Sequence, residues 1–388
     1  MRIIAVFCLF LFSFSNIASA GEKENKCLIP GIEFESIYTG EVFSNLSGGV
    51  NNKKGTEYRG NFDFTVNLDT EKSGLWHGGS FFLYFENGHG DGITNKYVGD
   101  TQVLSNIDAR DFYQISEYYI SQTLLNDRFS IKLGKQDANS DFNVAETAGE
   151  YINSSFGLMP NVPIPTFPEE ALGAAAFIGI NENISLSAGI FDGEGHGGKF
   201  GFDTAFCSDA TSVSIVETSI AYAPAKRGNL KLGIWRHGGS CDFISKQKTK
   251  DSNDYTSKPK TKDSNTGAYI IIEQGILGEK ESDKFCLDSF LQYGYADKNI
   301  NEIPNYFGAG LRAHCLFQNR PDDSVGIGFA SAGINNGMKT ETTIEAYYLA
   351  QIKEVFLIQP DIQYIINPGG NGDNAFVVGA RFYLNYGF

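Results

Sequence analysis

Charged and hydroxyl-bearing side chains recur at alternate positions within apolar runs of this chain: Arg59 and Asp63, Tyr84 and Glu86, Glu117 and Tyr118, Lys135 and Asp137, Arg312, Asp361, and Arg381 with Tyr383. Their spacing does not suit bond-breaking chemistry. The histidines, at 77, 89, 196, 237 and 314, show no HExxH or other paired ligand spacing, so zinc has no support. Serines occur without a GxSxG elbow. The glycine-rich FDGEGHGGKFGFD around His196 lacks both the strand-loop-helix setting of a phosphate cradle and the spacing of a calcium loop. Neither metal nor cofactor is expected. What such groups can do is exchange hydrogen bonds with a polar solute and offer it ring faces, weakly enough to let it go. The plainer role for any one of them is to wet or pack a wall.

The elements that carry these residues are strands. In 57–69, Tyr58, Gly60, Phe62, Phe64, Val66 and Leu68 alternate with Arg59, Asn61, Asp63, Thr65, Asn67 and Asp69. At the end of the chain Phe376, Val378, Ala380, Phe382, Leu384, Tyr386 and Phe388 share one face, with Gly379, Arg381, Tyr383 and Asn385 on the other. A period of two sends alternate side chains to opposite faces, and this pattern suits lipid outside and water inside. Strands are placed at 32–43, 57–69, 77–88, 111–124, 129–137, 171–180, 184–193, 211–223, 230–239, 267–276, 285–297, 305–317, 324–333, 341–353, 355–366 and 375–388. The expected fold is all-β: a transmembrane antiparallel barrel of sixteen strands with short periplasmic turns and long extracellular loops. The strands around Tyr58–Leu68 and Phe376–Phe388 are expected to pair as neighbours where it closes. A soluble sandwich edge also alternates, so the pattern by itself leaves that architecture open.

Residues 1–20 combine a basic start, an apolar stretch from Ile3 to Phe12 and the small-residue site Ala18-Ser19-Ala20, which reads as a secretory signal; 21–388 is then one barrel domain. No later apolar run approaches the ~18 residues of a membrane helix. A net charge of −15 disfavours nucleic acid as a partner. The long segment 138–170 holds Pro160, Pro163, Pro165 and Pro168, which block ladder pairing, and could fold inward to narrow a pore, bringing Asn153 and Phe156 into the lumen. The lysine-rich duplication KTKDSN, at Lys248 and again at Lys260, reads as an expanded external loop. Secretion exposes five cysteines to an oxidising compartment; Cys207 and Cys241 could staple two loops, whereas alternation puts Cys286 and Cys315 on opposite faces.

Longer stretches carry a family resemblance: GIEFESIYTGEVFSNLSGG, FFLYFENGHGDG, KLGKQDANSDF, NSSFGLMPNVPIPTFPEEALGA, NRPDDSVGIGFA and IQPDIQYIINPGGNGDNAFVVGARFYLNY, in order along most of the mature chain. Together they resemble the carbohydrate-selective porin family typified by OprB. The resemblance implies a barrel integral to the bacterial outer membrane, in contact with its lipid, passing small neutral sugars such as glucose-like monosaccharides and polyols by passive diffusion. It leaves homo-oligomer and monomer both open. The lysine-rich duplication and the five cysteines depart from the family pattern. A general porin for ions and small polar solutes is the alternative of the same class. A secreted carbohydrate-binding β protein or a barrel-embedded hydrolase is the alternative of another.

Overall fold

A computed structural model describes residues 29–194, 200–205, 211–223, 227–242, 261–278, 285–317 and 319–387. The signal segment, Cys27, Cys207 and the first KTKDSN copy lie outside the described residues, as does the side chain of Cys241. Sixteen antiparallel strands form one closed barrel in which each strand pairs with its sequence neighbours and the first pairs with the last. They are β1 (Ile32–Gly49), β2 (Gly55–Asp69), β3 (Gly79–Gly90), β4 (Phe112–Leu124), β5 (Phe129–Gln136), β6 (Ala171–Asn181), β7 (Ile184–Asp192) and β8 (Ser212–Ala223). The second half comprises β9 (Gly228–Asp242), β10 (Thr261–Leu277), β11 (Cys286–Ala296), β12 (Asn305–His314), β13 (Ser324–Gly333), β14 (Glu341–Lys353), β15 (Phe356–Ile366) and β16 (Asp373–Gly387). Closure leaves no strand edge unpaired, which a wall in contact with hydrocarbon requires.

Alternation sets the sidedness. On β9, Ile234 is 63% exposed and its neighbour Trp235 is 3% exposed. The same division runs around the wall, with Leu83, Ile327 and Ile362 outward and Glu86, Gln292 and Gln363 buried inward. Connections alternate as well. The turns after β4, β6 and β14 are tight, Leu125, Asn126 and Asp127 supplying positive φ in the first. On the opposite rim the β3–β4 and β5–β6 connections span 91–111 and 137–170.

Two expectations change. The strand containing Tyr58–Leu68 does not pair with the C-terminal strand: β1 lies between them, bonding Tyr38 to Leu384 on one side and to Phe62 on the other. The KTKDSN duplication is not all loop, because its second copy from Thr261 onward forms the start of β10, where Lys262 Nζ bonds Asp297 at 2.8 Å. Cys286 does face inward with Asp288, and it is paired to His314, the residue before Cys315.

Phe64 points outward from β2 and Thr65 inward, opposite Glu35. Arginine at position 64 should cost ~2–4 kcal/mol if the site is at the membrane midplane, less nearer an interface. Arginine at position 65 should cost much less, since it faces water and Glu35. Urea unfolding of the two variants in liposomes measures the difference, and equal costs would show the register to be wrong.

Candidate functional site

Both long connections on the rim opposite the termini turn back into the barrel, and the wall residues that receive them define the interior. Arg59 of β2 holds the 91–111 loop. Its Nε donates to the Ile107 carbonyl at 3.1 Å, Nη1 to the Gly90 carbonyl at 2.8 Å and to Asp111 at 2.9 Å, and Nη2 to the Arg110 carbonyl at 2.7 Å. Arg381 of β16 is ion-paired to Glu41 at 2.7 Å and donates to Ser105 Oγ of the same loop at 2.9 Å. Further round the wall, Glu341 accepts the Thr101 and Gln102 backbone N–H groups, each at 2.8 Å.

The 137–170 loop docks on strands from β8 to β15. Glu217 accepts the Asn143 N–H at 3.0 Å and Glu273 the Thr147 N–H at 2.7 Å. Glu345 accepts those of Ile152 and Asn153 at 2.6 and 3.0 Å. Loop carbonyls are met in turn: Lys231 donates to Val144, Gln292 to Phe156, Gln359 to Glu150 and the Tyr306 hydroxyl to Ser155. The two loops also bond each other, Asn106 N–H to the Ile152 carbonyl and Ser154 N–H to the Val103 carbonyl. Between loop and wall, Tyr151 and Phe156 pack at 4.4 Å with Phe290 against a smooth patch. A Cβ at Gly328 would lie 2.9 Å from the Tyr151 ring and 3.1 Å from Phe156, so glycine there permits the close approach.

The residues singled out from sequence therefore divide. Asn153 and Phe156 are inside the barrel, but both are buried and occupied by docking: the Asn153 side chain caps the helical turn Ser154–Gly157 and reaches Gln363, and Phe156 fills the loop core. Arg59 and Arg381 face inward, 2% and 4% exposed, with their guanidinium groups turned to the loop contacts above. Asp361 is buried, accepting from Gln363 at 3.1 Å. On β2 and β3, Asp63 and Glu86 share the Tyr84 hydroxyl at 2.8 Å each. Glu117 accepts the Asp137 N–H at 2.9 Å where the long loop leaves β5. Arg312 is paired with Glu150 at 3.2 Å and the Tyr383 hydroxyl donates to Gln359 at 2.9 Å.

Two positions are corrected. Tyr118 stands on the outer face, level with the exposed Leu83, and its hydroxyl donates to the Phe200 carbonyl. A register shift between Tyr84 and Phe85 places both Ser116 and Glu117 inward, and such a bulge reverses the parity beyond it. Lys135 likewise has outward partners, Tyr118 and Leu172, and its Nζ turns to the Ile115 carbonyl at 2.9 Å where β4 and β5 part. The inward lysine is Lys132, bonded to Asp141 at 2.9 Å and lying 4.2 Å from the centre of the Tyr119 ring. Its flanks, Ile131 and Leu133, are the signal that could have found it.

Also missed from sequence are the docking glutamates and the ion pair of Arg110 with Glu169, which joins the end of one inward loop to the end of the other. The Arg110 side chain is 59% exposed, unlike those of Arg59 and Arg381. Glu217, Glu273 and Glu345 each sit at an inward position next to an apolar residue, a legible place for a lone acid on a wall. Three loop carboxylates hold their protons to higher pH than exposed ones do. Burial pushes Asp137 up to about 6, and burial with the nearby Glu86 raises Glu170 well above the ordinary range. Asp100, buried beside Glu341, is pushed up to about 8.

Comparison with known proteins gives the architecture its relatives. Porin B of Pseudomonas aeruginosa is 22% identical over 412 residues, covering 93% of this chain and 89% of that protein. The putative porin QuiX of Acinetobacter baylyi is 20% identical, covering 92% and 89%. The high-pH structure of Pseudomonas putida OprB superimposes with a TM-score of 0.81 at 22% identity, covering 92% of this chain and 94% of that one. The model of the carbohydrate-selective porin, OprB family, matches residues 53–386. With its closed sixteen-stranded wall and most of its length within that match, the chain belongs to the carbohydrate-selective porins of the OprB family and is an integral protein of the outer membrane.

Proposed function

We propose that this porin admits small neutral carbohydrates, monosaccharides and polyols, by passive diffusion, and that its two inward loops together form the constriction. The observation that carries this is the set of loop N–H groups bonded to Glu217, Glu273, Glu341 and Glu345, since a loop anchored to β8, β10 and β14 has to lie across the lumen. The Arg110–Glu169 pair is the exposed donor and acceptor couple at the loop ends. Arg312 with Glu150, and Tyr84 with Asp63, give further polar groups with part of their surface exposed. A neutral polyol can trade water for such groups without the cost of burying a charge, and release follows because none encloses it. Diffusion of this kind needs no chemistry, so we assign the protein a channel role and no hydrolysis.

Deleting Ser154–Pro165 should raise single-channel conductance and admit larger oligosaccharides while blunting the preference for sugars over amino acids of equal size. Bilayer recording and liposome swelling read both. Unchanged values in a folded barrel would place the loop outside the pathway. Arg110→Ala should have a smaller effect of the same sign, raising the rate for disaccharides relative to monosaccharides.

The 91–111 loop should respond to pH. A carboxyl whose docked value is raised keeps its proton when the undocked one has lost it. Docking therefore weakens as pH rises from about 4, the ordinary aspartate value, to about 8, where Asp100 ionises beside Glu341, and is constant above that. Hydrogen exchange at Thr101 and Gln102 should accelerate between pH 6 and 8 beyond the intrinsic rate. Asp100→Asn should abolish that excess.

A further inference from the structure

The two inward loops leave one side of the lumen open. On β11, β13, β14 and β15 every inward residue is buried. On β1–β3, between the Arg59 anchor and the rim that carries the termini, Glu35 is exposed and Thr65, Asn67, Phe82 and Tyr84 are half-buried. Register sets these groups in two rows across the sheet. Glu35 stands opposite Thr65, which stands opposite Tyr84; in the next row Asn67 stands opposite Phe82, which stands opposite Tyr119 of β4. The rings are fixed by their neighbours. Lys132 lies 4.2 Å from the centre of the Tyr119 ring, Tyr119 stacks on Phe82 at 4.9 Å, and the Tyr84 hydroxyl is held by Asp63 and Glu86. The polar groups beside them are not engaged in this way. Among the described residues, none makes a hydrogen bond with the side chains of Glu35, Thr65 or Asn67.

We propose that this strip of the β1–β3 wall is a binding track for a single neutral pyranose that has passed the constriction. The inference rests on the sugar-channel reading above and adds the side of the lumen along which the solute travels and the residues it touches there. An aromatic face is electrostatically negative, so it attracts the polarised C–H groups on one face of a sugar ring. Phe82 and Tyr84 offer such surface. Neighbouring strands are about 4.8 Å apart, so a pyranose lying against these two rings has Asn67 and Thr65 one strand away and Glu35 two. Asn67 and Thr65 both donate and accept, and Glu35 accepts, which matches the mixed character of sugar hydroxyls. Release stays easy, because the polar groups are met by water when the sugar leaves. Selectivity follows from the rings. An acyclic polyol has no rigid C–H face to lay on them and an amino acid of equal size has a smaller one, so both gain the polar contacts without the aromatic ones.

Thr65→Cys places a thiol in the track, and Thr343→Cys places one at a buried inward position of β14. A cationic methanethiosulfonate should modify the first and not the second, beyond the reaction of the protein's own cysteines counted on the unsubstituted chain. Saturating glucose should slow modification of Thr65→Cys at least threefold, and sorbitol and alanine at the same concentration should slow it less. Adding Phe82→Leu, which keeps an apolar side chain and removes the ring, should abolish glucose protection while the barrel retains heat-modifiable gel mobility; Phe82→Ala is the second variant with the same expected result. Equal reaction of the two thiols overturns the assignment of the open side. Protection that survives both Phe82 variants, or that sorbitol gives as well as glucose, overturns the track. Swelling of liposomes carrying the unsubstituted protein separates the two readings. Glucose entry without protection of Thr65→Cys rejects the track alone, whereas absence of glucose entry rejects the sugar channel and the track with it.

Discussion

The constraint on which this interior depends is that backbone taken into a barrel must still be hydrogen-bonded. Two irregular loops enter the lumen with N–H and C=O groups that no strand can pair, and each one left unmet in a buried place would cost roughly 1–3 kcal/mol. The wall answers with side chains. Glutamates on β8, β10 and β14 accept loop N–H groups, and glutamines and a lysine on β9, β11 and β15 donate to loop carbonyls. A carboxylate with two backbone donors, as at Glu345, makes charge-assisted bonds that are stronger than neutral ones. The loops are thereby held to strands far from their own in sequence.

That constraint decides which charged residues face a solute. An inward charge near a loop is drawn into docking, as with Arg59, Arg381, Lys231 and the glutamates. Exposed polar surface falls to groups that join loop to loop or loop to wall at their ends, such as Arg110 with Glu169 and Arg312 with Glu150. Near the mouth of β5, burial lets Asp137 and Glu170 hold a proton to higher pH than an exposed carboxyl does. A neutral solute suits such an interior.

The wall was legible because alternation is a local property: each of the sixteen strands overlaps a segment that reads as one in the sequence, and the apolar stripes at Tyr58–Leu68 and Phe376–Tyr386 face outward. The interior was less legible, since it depends on contacts between distant segments. Parity failed at Tyr118 because a bulge adds a residue without a sign in the local pattern. It failed at Lys135 because a charged side chain also stands on the outer face at the end of β5, whereas the apolar flanks of Lys132 mark the inward lysine. Arg59 and Arg381 were placed on the correct face, yet their partners, Ile107, Arg110 and Ser105, lie in a loop whose inward path no periodicity records.

The duplicated hexapeptide at the top of β10 bears on how this surface can change with time. Its two copies are offset by twelve residues, an even number, and strand faces alternate with a period of two. Unequal recombination between the copies would add or remove twelve residues in the β9–β10 hairpin while the same five residues, Thr261–Asn265, continued to enter β10 on the same faces. The rim could thus vary in length by whole repeats, with the lipid-facing stripe and the lumen beneath it unaltered.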